Sequence, residues 1–476
     1  MALKKGSLIE LEISDMAYGG KGIAKIQTDN GTLIAFVPNT IPGQKVLGRV
    51  FKKRKSFIEC KLIDVLSASP DEEALDYQPI SGAPFMKLPI DKQQFYKKRN
   101  TLDQYARLSK VENIEEVFDE YISSPALFHY RNKMEYAFSS ISYDFDKKEV
   151  IDDVFALGSK RRGTWWIVEN LEKDSGIFDQ EFESKIHELT NYLQETGLPA
   201  WHPPKKEGFY RYLSVRKSFK DNGLLVSLTT SASQLDDFDK NGFVQKLIEL
   251  YGDRLKGILH IINDSQGERS YNDDNTYQML FGENKINEDL LGLSFDVSMQ
   301  SFFQTNPKSA EKLYQKVIDY TLQDKEYSQE DVVMDLFCGT GTIGQLVAKQ
   351  TDVEVIGVDI VKEAIENAKV NADKNGISNA KFFASDVGKF LQEFPQYQGK
   401  IKTIIIDPPR GGISTKSLKR IIDLNAERIV YVSCNPSTQA RDMLLLFEKG
   451  YKLNKISLVD QFPHTAHIEA VAVFNK

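Results

Sequence analysis

Apolar and polar positions alternate in short runs over residues 1–65: SLIELEISDMA, GIAKIQ, TLIAFVP, KVLGRVFK and SFIECKLIDVL. A period of two marks strands with one buried face, and the turn signals YGGKG, TDNG and TIPGQ separate them. Five short strands in so few residues predict a small closed β-barrel. Residues 66–90 show no period and carry Pro70, Pro79, Pro84 and Pro89. From Asp91 to about Tyr121 the pattern is that of an amphipathic helix. Residues 125–280 alternate again, in MEYAFSSISYDF, TWWIVENL, LSVRKSF, GLLVSLTTS and LKGILHIIND, which predicts a second domain rich in antiparallel strands.

From about Lys285 the rhythm changes. SAEKLYQKVIDYTL is helical, DVVMDLF reads as a buried strand, TIGQLVAKQ as a helix, VEVIGVDI as a strand, and VKEAIENAKVNADKNG as a helix closed by Gly376. Strands alternating with helices predict a doubly wound, mostly parallel sheet. The expected class is α/β multidomain, with a barrel over residues 1–65, a central α+β domain over 66–284 and a Rossmann-like domain over 285–476.

The length of 476 residues fits two or three domains. No apolar run is long enough to span a membrane, and the start, MALKKGSLIELEI, lacks the apolar core and cleavage site of a signal peptide. Cys60, Cys338 and Cys434 are the only cysteines; they lack metal-ligand spacing and cannot form a disulfide framework. This favours a reducing, cytoplasmic location. The net charge of −7 argues against strong non-specific nucleic-acid binding. Charge is segregated, however: residues 1–65 hold 11 Lys and Arg against six Asp and Glu, and FKKRKS ends a strand where a barrel loop would lie. Lys52, Lys53, Arg54 and Lys55 are therefore candidate nucleic-acid contacts rather than only a solvated edge.

DLFCGTGTIG follows the first strand of the α/β domain and opens a helix. Gly339, Gly341 and Gly344 make a G-x-G-x-x-G pattern, a weak signal alone. Asp359 ends the second strand, where a carboxylate can accept both ribose hydroxyls. NAD and S-adenosylmethionine both offer that ribose. Asp386, after the third strand, could meet an adenine amino group. Asp407, Pro408 and Pro409 end the fourth, where stiff prolines could face a planar base. Each Asp alone could equally be a cap or turn residue.

Cys434 follows the fifth strand, at the carboxyl edge where such sheets bind ligands, in SCNPST. Glu469 lies in the apolar run IEAVAVF, either at a strand start facing solvent or as a buried acid of raised pKa suited to a general base. His467 would share its strand face. A thiol, a base and a methyl donor together meet the needs of uracil C5 methylation, since thiolate addition at C6 makes C5 nucleophilic and a base must then remove the C5 proton.

The motifs MAYGGKGIAKI, YRNKMEYAFS, FFQTN, DLFCGTGTIG, DPPRGG, SCNPST and FPHTAHIEAV span nearly the whole chain. In this combination the chain resembles the RNA uracil-5 methyltransferases, in particular the ribosomal branch with an N-terminal TRAM barrel. The resemblance implies Cys434 as nucleophile and Glu469 as proton acceptor. It implies S-adenosylmethionine contacts at Gln304, Phe337, Thr342, Asp359 and Asp407; Gly339 and Gly341 are added from the glycine turn and Asp386 from the strand-end argument. It also implies a uridine of 23S ribosomal RNA or its precursor as substrate, and helices near residues 92–122 packed on the catalytic domain; Arg131 and Lys133 are further candidate RNA contacts. Many relatives carry a C-G-G-C where this chain has SGAP (Ser81–Pro84), and their other cysteines are replaced near Asp76 and Asn170. No iron–sulfur cluster and no metal are expected. A monomer is the default. Transfer RNA as substrate and a non-catalytic RNA-binding assembly factor are the alternatives; an NAD-dependent oxidoreductase would leave DPPRGG and SCNPST without a role.

Overall fold

A computed structural model describes residues 4–28, 31–145, 147–271 and 277–476. Two compact units emerge. One comprises Met1–Pro89, Ala126–Glu288 and Asp296–Pro307; the other comprises Ile90–Pro125, Asp289–Phe295 and Lys308–Lys476.

The first unit opens with a six-stranded sheet in the order Leu8–Glu12, Lys45–Lys53, Phe57–Ser67, Gly31–Pro38, Lys21–Thr28, Asp15–Ala17. Its edge strands are joined through Ile13 and Ser14, so the sheet curls on itself. Ile13 N–H reaches Gln44 O and Ser14 N–H reaches Ile23 O. The alternating Leu11, Ile13, Ala35, Val37, Val46, Val50, Ile58 and Cys60 fill the interior. The first of the five expected strands is thus two, broken where the chain turns the barrel corner. The same unit holds a nine-stranded sheet, mainly antiparallel, with Lys133–Ser139 against Tyr210–Lys217 near its centre. Leu224–Thr230 and Leu255–Ile262 pair in parallel, with helix Lys240–Tyr251 crossing between them, and Val168–Asn170 pairs in parallel with Ser142–Asp144. TWWIVENL is strand only at Val168–Asn170; Arg161 N–H closes the preceding turn onto Ile167 O.

The second unit begins with α1 (Ile90–Ser109). The helix expected to run to Tyr121 stops there. After one short turn, β1 (Phe118–Ile122) pairs in parallel with a distant strand, and that pairing overrides local preference. The other elements are α2 (Pro307–Leu322), β2 (Val332–Leu336), α3 (Thr342–Ala348), β3 (Glu354–Asp359), α4 (Lys362–Lys374), β4 (Ala380–Ala384), β5 (Ile401–Ile406), α5 (Thr415–Asp423), β6 (Arg428–Ser433), α6 (Pro436–Glu448), β7 (Lys452–Val459) and β8 (Glu469–Asn475). The sheet order is β4-β3-β2-β5-β6-β8-β7-β1. Strands β2 to β6 are parallel, whereas β8 runs antiparallel to both β6 and β7.

Near-continuous apolar runs such as VVMDL and IKTIII suit strands covered on both faces. Leu336, Ile356, Ile404, Ile406 and Tyr431 form the core with Leu102 and Tyr105 of α1. Tyr105 OH bonds Gln439 Oε1, and Gln104 Nε2 donates to Ser437 Oγ at 3.2 Å, which fixes α1 to α6.

Candidate active site

The carboxyl ends of β2, β3, β5 and β6 and the start of β8 converge on one edge. After β2 the backbone turns sharply: Phe337, Gly339 and Gly341 all have positive φ (62°, 52° and 74°). At Gly341 a Cβ would come within 2.5 Å of the Phe382 ring, so both conformation and space demand glycine. At Gly339 a Cβ would meet nothing within 4 Å, leaving the turn open on that side. Asp359 Oδ2 accepts Gly339 N–H at 3.0 Å and Oδ1 accepts Val361 N–H at 2.9 Å, so its carboxylate ties the two strand ends together. Thr342 starts α3.

Asp335 was not anticipated from sequence, although its place as the first letter of DLFCGTGTIG was the available signal. It is 1% exposed, and its Oδ2 accepts Gly344 N–H at 2.9 Å, while Oδ1 has no hydrogen-bond partner among the described residues. Burial pushes its pKa up to about 8, with the Asp407 and Asp359 charges adding to the shift. Asp407, at the end of β5, is pushed up to about 6 by burial.

Cys434 and Glu469 are brought together by strand register. β6 and β8 pair antiparallel, and their last rung joins Ser433 to Ala470. The residues one step beyond are Cys434 and Glu469. Glu469 itself pairs with Val459 of β7 on its other side. It begins the strand yet is only 4% exposed, so it combines the two sequence alternatives: strand start and buried acid. Burial pushes its pKa up to about 8, Asp407 adding and Arg410 opposing. The Cys434 thiol is pushed up to about 11, first by burial and then by the Glu469 charge, with Arg410 opposing. Asn435 Nδ2 donates to Arg410 O at 3.2 Å, holding the DPPRGG loop beside the cysteine turn. His467 precedes β8 and is exposed while Glu469 is buried, so the shared strand face expected for them does not form.

The remaining predicted residues are more dispersed. Asp386 Oδ1 accepts Gly388 N–H at 2.9 Å and pairs with Arg420 at 3.0 Å, a turn-residue arrangement. Gln304 belongs to the first unit, where its carbonyl accepts Asn132 Nδ2 at 3.1 Å. In that unit Lys133 Nζ donates to Met299 O at 2.9 Å, and burial beside Arg216 pulls its pKa down to about 8. Arg131 Nε donates to Lys133 O at 3.2 Å. Lys52 pairs with Glu59 at 3.0 Å, while Arg54 and Lys55 are exposed at the tip between two barrel strands. Lys53 is exposed at the end of its strand.

The open glycine turn and the carboxylates Asp335, Asp359, Asp407 and Glu469 suit a cationic nucleoside. A sulfonium donor such as S-adenosylmethionine fits. Among the described residues, no group of three or more His, Cys, Asp or Glu is placed to hold a metal ion, and no helix is long and apolar enough to cross a membrane.

Comparison with known proteins agrees with this chemistry. The tRNA (Uracil-5-)-methyltransferase family profile matches residues 259–476. An RNA methyltransferase of Clostridium acetobutylicum is 36% identical over 478 residues, covering 100% of this chain and 99% of the relative. One from Caldanaerobacter subterraneus is 35% identical, with 100% of both chains covered. The Pyrococcus abyssi tRNA (uracil-54, C5)-methyltransferase, solved with S-adenosyl-L-homocysteine, shares the fold at TM-score 0.69 and 24% identity, over 98% of this chain and 100% of that one. The fold is that of a methyltransferase. The chain belongs to the RNA uracil-5-methyltransferase family.

Proposed function

We propose that this protein transfers a methyl group from S-adenosylmethionine to carbon 5 of a uridine in 23S ribosomal RNA, through a covalent bond to Cys434. The observation that carries the reading is the placement of Cys434 and Glu469 one step beyond the Ser433–Ala470 rung. A nucleophile and a base are thereby placed at the adjoining ends of neighbouring strands.

Cys434 Sγ, as thiolate, adds to uracil C6, and the C5=C6 electron pair moves into an enolate. Carbon 5 then takes the methyl group. S-adenosylmethionine, when bound, supplies that methyl as an electrophile on a sulfonium. Glu469 removes the C5 proton, the C5=C6 bond re-forms, and the S–C6 bond breaks to return the thiolate. A carboxyl near pKa 8 suits this acceptor, because it is basic enough to take the proton and partly ionised at neutral pH. Asp359 and the turn at Gly339, Gly341 and Thr342 hold the donor's nucleoside, with Phe337 and Asp407 beside it and Asp386 as a further contact. The uridine must leave its stack to reach Cys434. Lys52, Lys53, Arg54 and Lys55 of the barrel, with Arg131 and Lys133, are the proposed RNA contacts. Such a substrate implies a cytoplasmic location, and no partner other than RNA is required.

Transfer RNA is the second reading. It is favoured by the matched family description, and the Pyrococcus tRNA enzyme aligns over 98% of this chain, barrel included, so the barrel by itself does not separate the two RNAs. The test uses purified protein, methyl-labelled S-adenosylmethionine, and ribosomal and transfer RNA from a strain lacking the gene. Label as 5-methyluridine in one or two 23S uridines supports the proposal. Label only in transfer RNA moves the substrate, and label in neither overturns the enzymatic reading.

A further inference from the structure

The loop that delivers Glu469 is shaped from outside its own hairpin. Residues 460–468 join β7 to β8. Lys97 of α1 donates to Asp460 Oδ1 at 2.7 Å and to Phe462 O at 2.9 Å, and the Lys97 and Asp460 side chains are 2% and 1% exposed. Gln93, four residues earlier on the same helix face, accepts His464 N–H at 2.9 Å, and its Nε2 meets His464 Nδ1 at 3.1 Å. Asp460 is further held by Tyr121 OH at 3.1 Å and by Ser309 Oγ on its carbonyl at 3.1 Å. His464 sits at φ +65°, in the left-handed region that non-glycine residues seldom enter.

A buried lysine–carboxylate pair is a poor way to gain stability, since desolvation offsets the attraction, but losing one partner strands a buried charge, so the pair holds its two segments together. Here the geometry it fixes is the run of nine residues that leads into Glu469. We propose that Lys97 and Gln93 are positioning residues: through the 460–468 loop they set the Glu469 carboxylate at C5 of a uracil held on Cys434. The inference rests on the reading of Glu469 as proton acceptor, and it concerns the second half of the reaction alone. Addition by Cys434 and methyl transfer come before any need for a base.

That division gives the test. On 5-fluorouridine RNA with S-adenosylmethionine, the S–C6 and C5–methyl bonds form. Carbon 5 then bears fluorine and no proton, elimination is blocked, and the protein stays linked to RNA. Gln93→Ala should slow turnover on ordinary uridine RNA about 10- to 100-fold and accumulate a denaturation-resistant adduct, while the rate of linkage to 5-fluorouridine RNA stays within roughly twofold. The paired variant Lys97→Met with Asp460→Asn, which removes both buried charges at once, should behave alike. Declines of equal size on both RNAs would mark a merely structural role and overturn the inference, as would no change on either. Glu469→Gln serves as control: slowed turnover there with proportional declines in Gln93→Ala removes the inference alone. Unchanged turnover in Glu469→Gln removes the proton-acceptor reading, and the inference with it.

Discussion

Cys434 and Glu469 are set opposite each other by the register of β6 against β8, one step past the Ser433–Ala470 pair. Their spacing therefore depends on the sheet, and removing either side chain should leave that frame intact. Cys434→Ala is expected to fold normally, to retain S-adenosylmethionine binding by calorimetry and to lose methylation completely. Residual turnover near the native rate would contradict a covalent route.

Glu469→Gln should lower turnover by about 10²- to 10⁴-fold, the range typical of a missing general base. In the native enzyme the decay of the methylated protein–RNA adduct should quicken as pH rises toward the Glu469 value of about 8, because only the ionised form accepts a proton. A flat profile between about pH 6 and 9 would count against this role.

The same carboxyl has a signature in stability. Folded, it keeps its proton to about pH 8; unfolded, it loses it near 4.5. Between these values the folded state binds more protons, so Glu469 makes stability fall as pH rises through that window. Thermal midpoints of Glu469→Gln should accordingly decline less than those of the native protein across it.

Burial and the Glu469 charge both push the Cys434 thiol up, to about 11. Alkylation of the peptide containing Cys434 by iodoacetamide should be slow at neutral pH. Glu469→Gln should shift its pH midpoint downward, and an unchanged midpoint would show that the two groups do not interact.

On the barrel, Arg54→Ala and Lys55→Ala should each weaken RNA binding and reduce its salt slope by about one, the share of a single neutralised phosphate. Lys52→Ala should do less, since that ammonium is already committed to Glu59. Filter binding across a salt series reads both effects.

Much of this architecture was legible in the chain. Period-two and period-3.6 patterns located the barrel strands and the alternating α/β domain, and the positions of Cys434 and the glycine turn followed from strand ends. What escaped was set by residues distant in sequence. Phe118–Ile122 became a strand because β7 offered an open edge. The constraint on the Glu469 loop came from Gln93 and Lys97, more than 360 residues away, and no local pattern announces it. The partners of Asp386, at Arg420, and of Lys133, at Met299 O, are likewise distant in sequence.

The central claim is a bond between Cys434 and the target uridine. The direct measurement is to incubate the protein with S-adenosylmethionine and 5-fluorouridine-substituted RNA, digest both polymers and identify the linked peptide by mass spectrometry. The account predicts a methylated 5-fluorouridine on the peptide containing Cys434, absent in Cys434→Ala. Methylated RNA with no linked peptide, or linkage at Cys60 or Cys338, would contradict it.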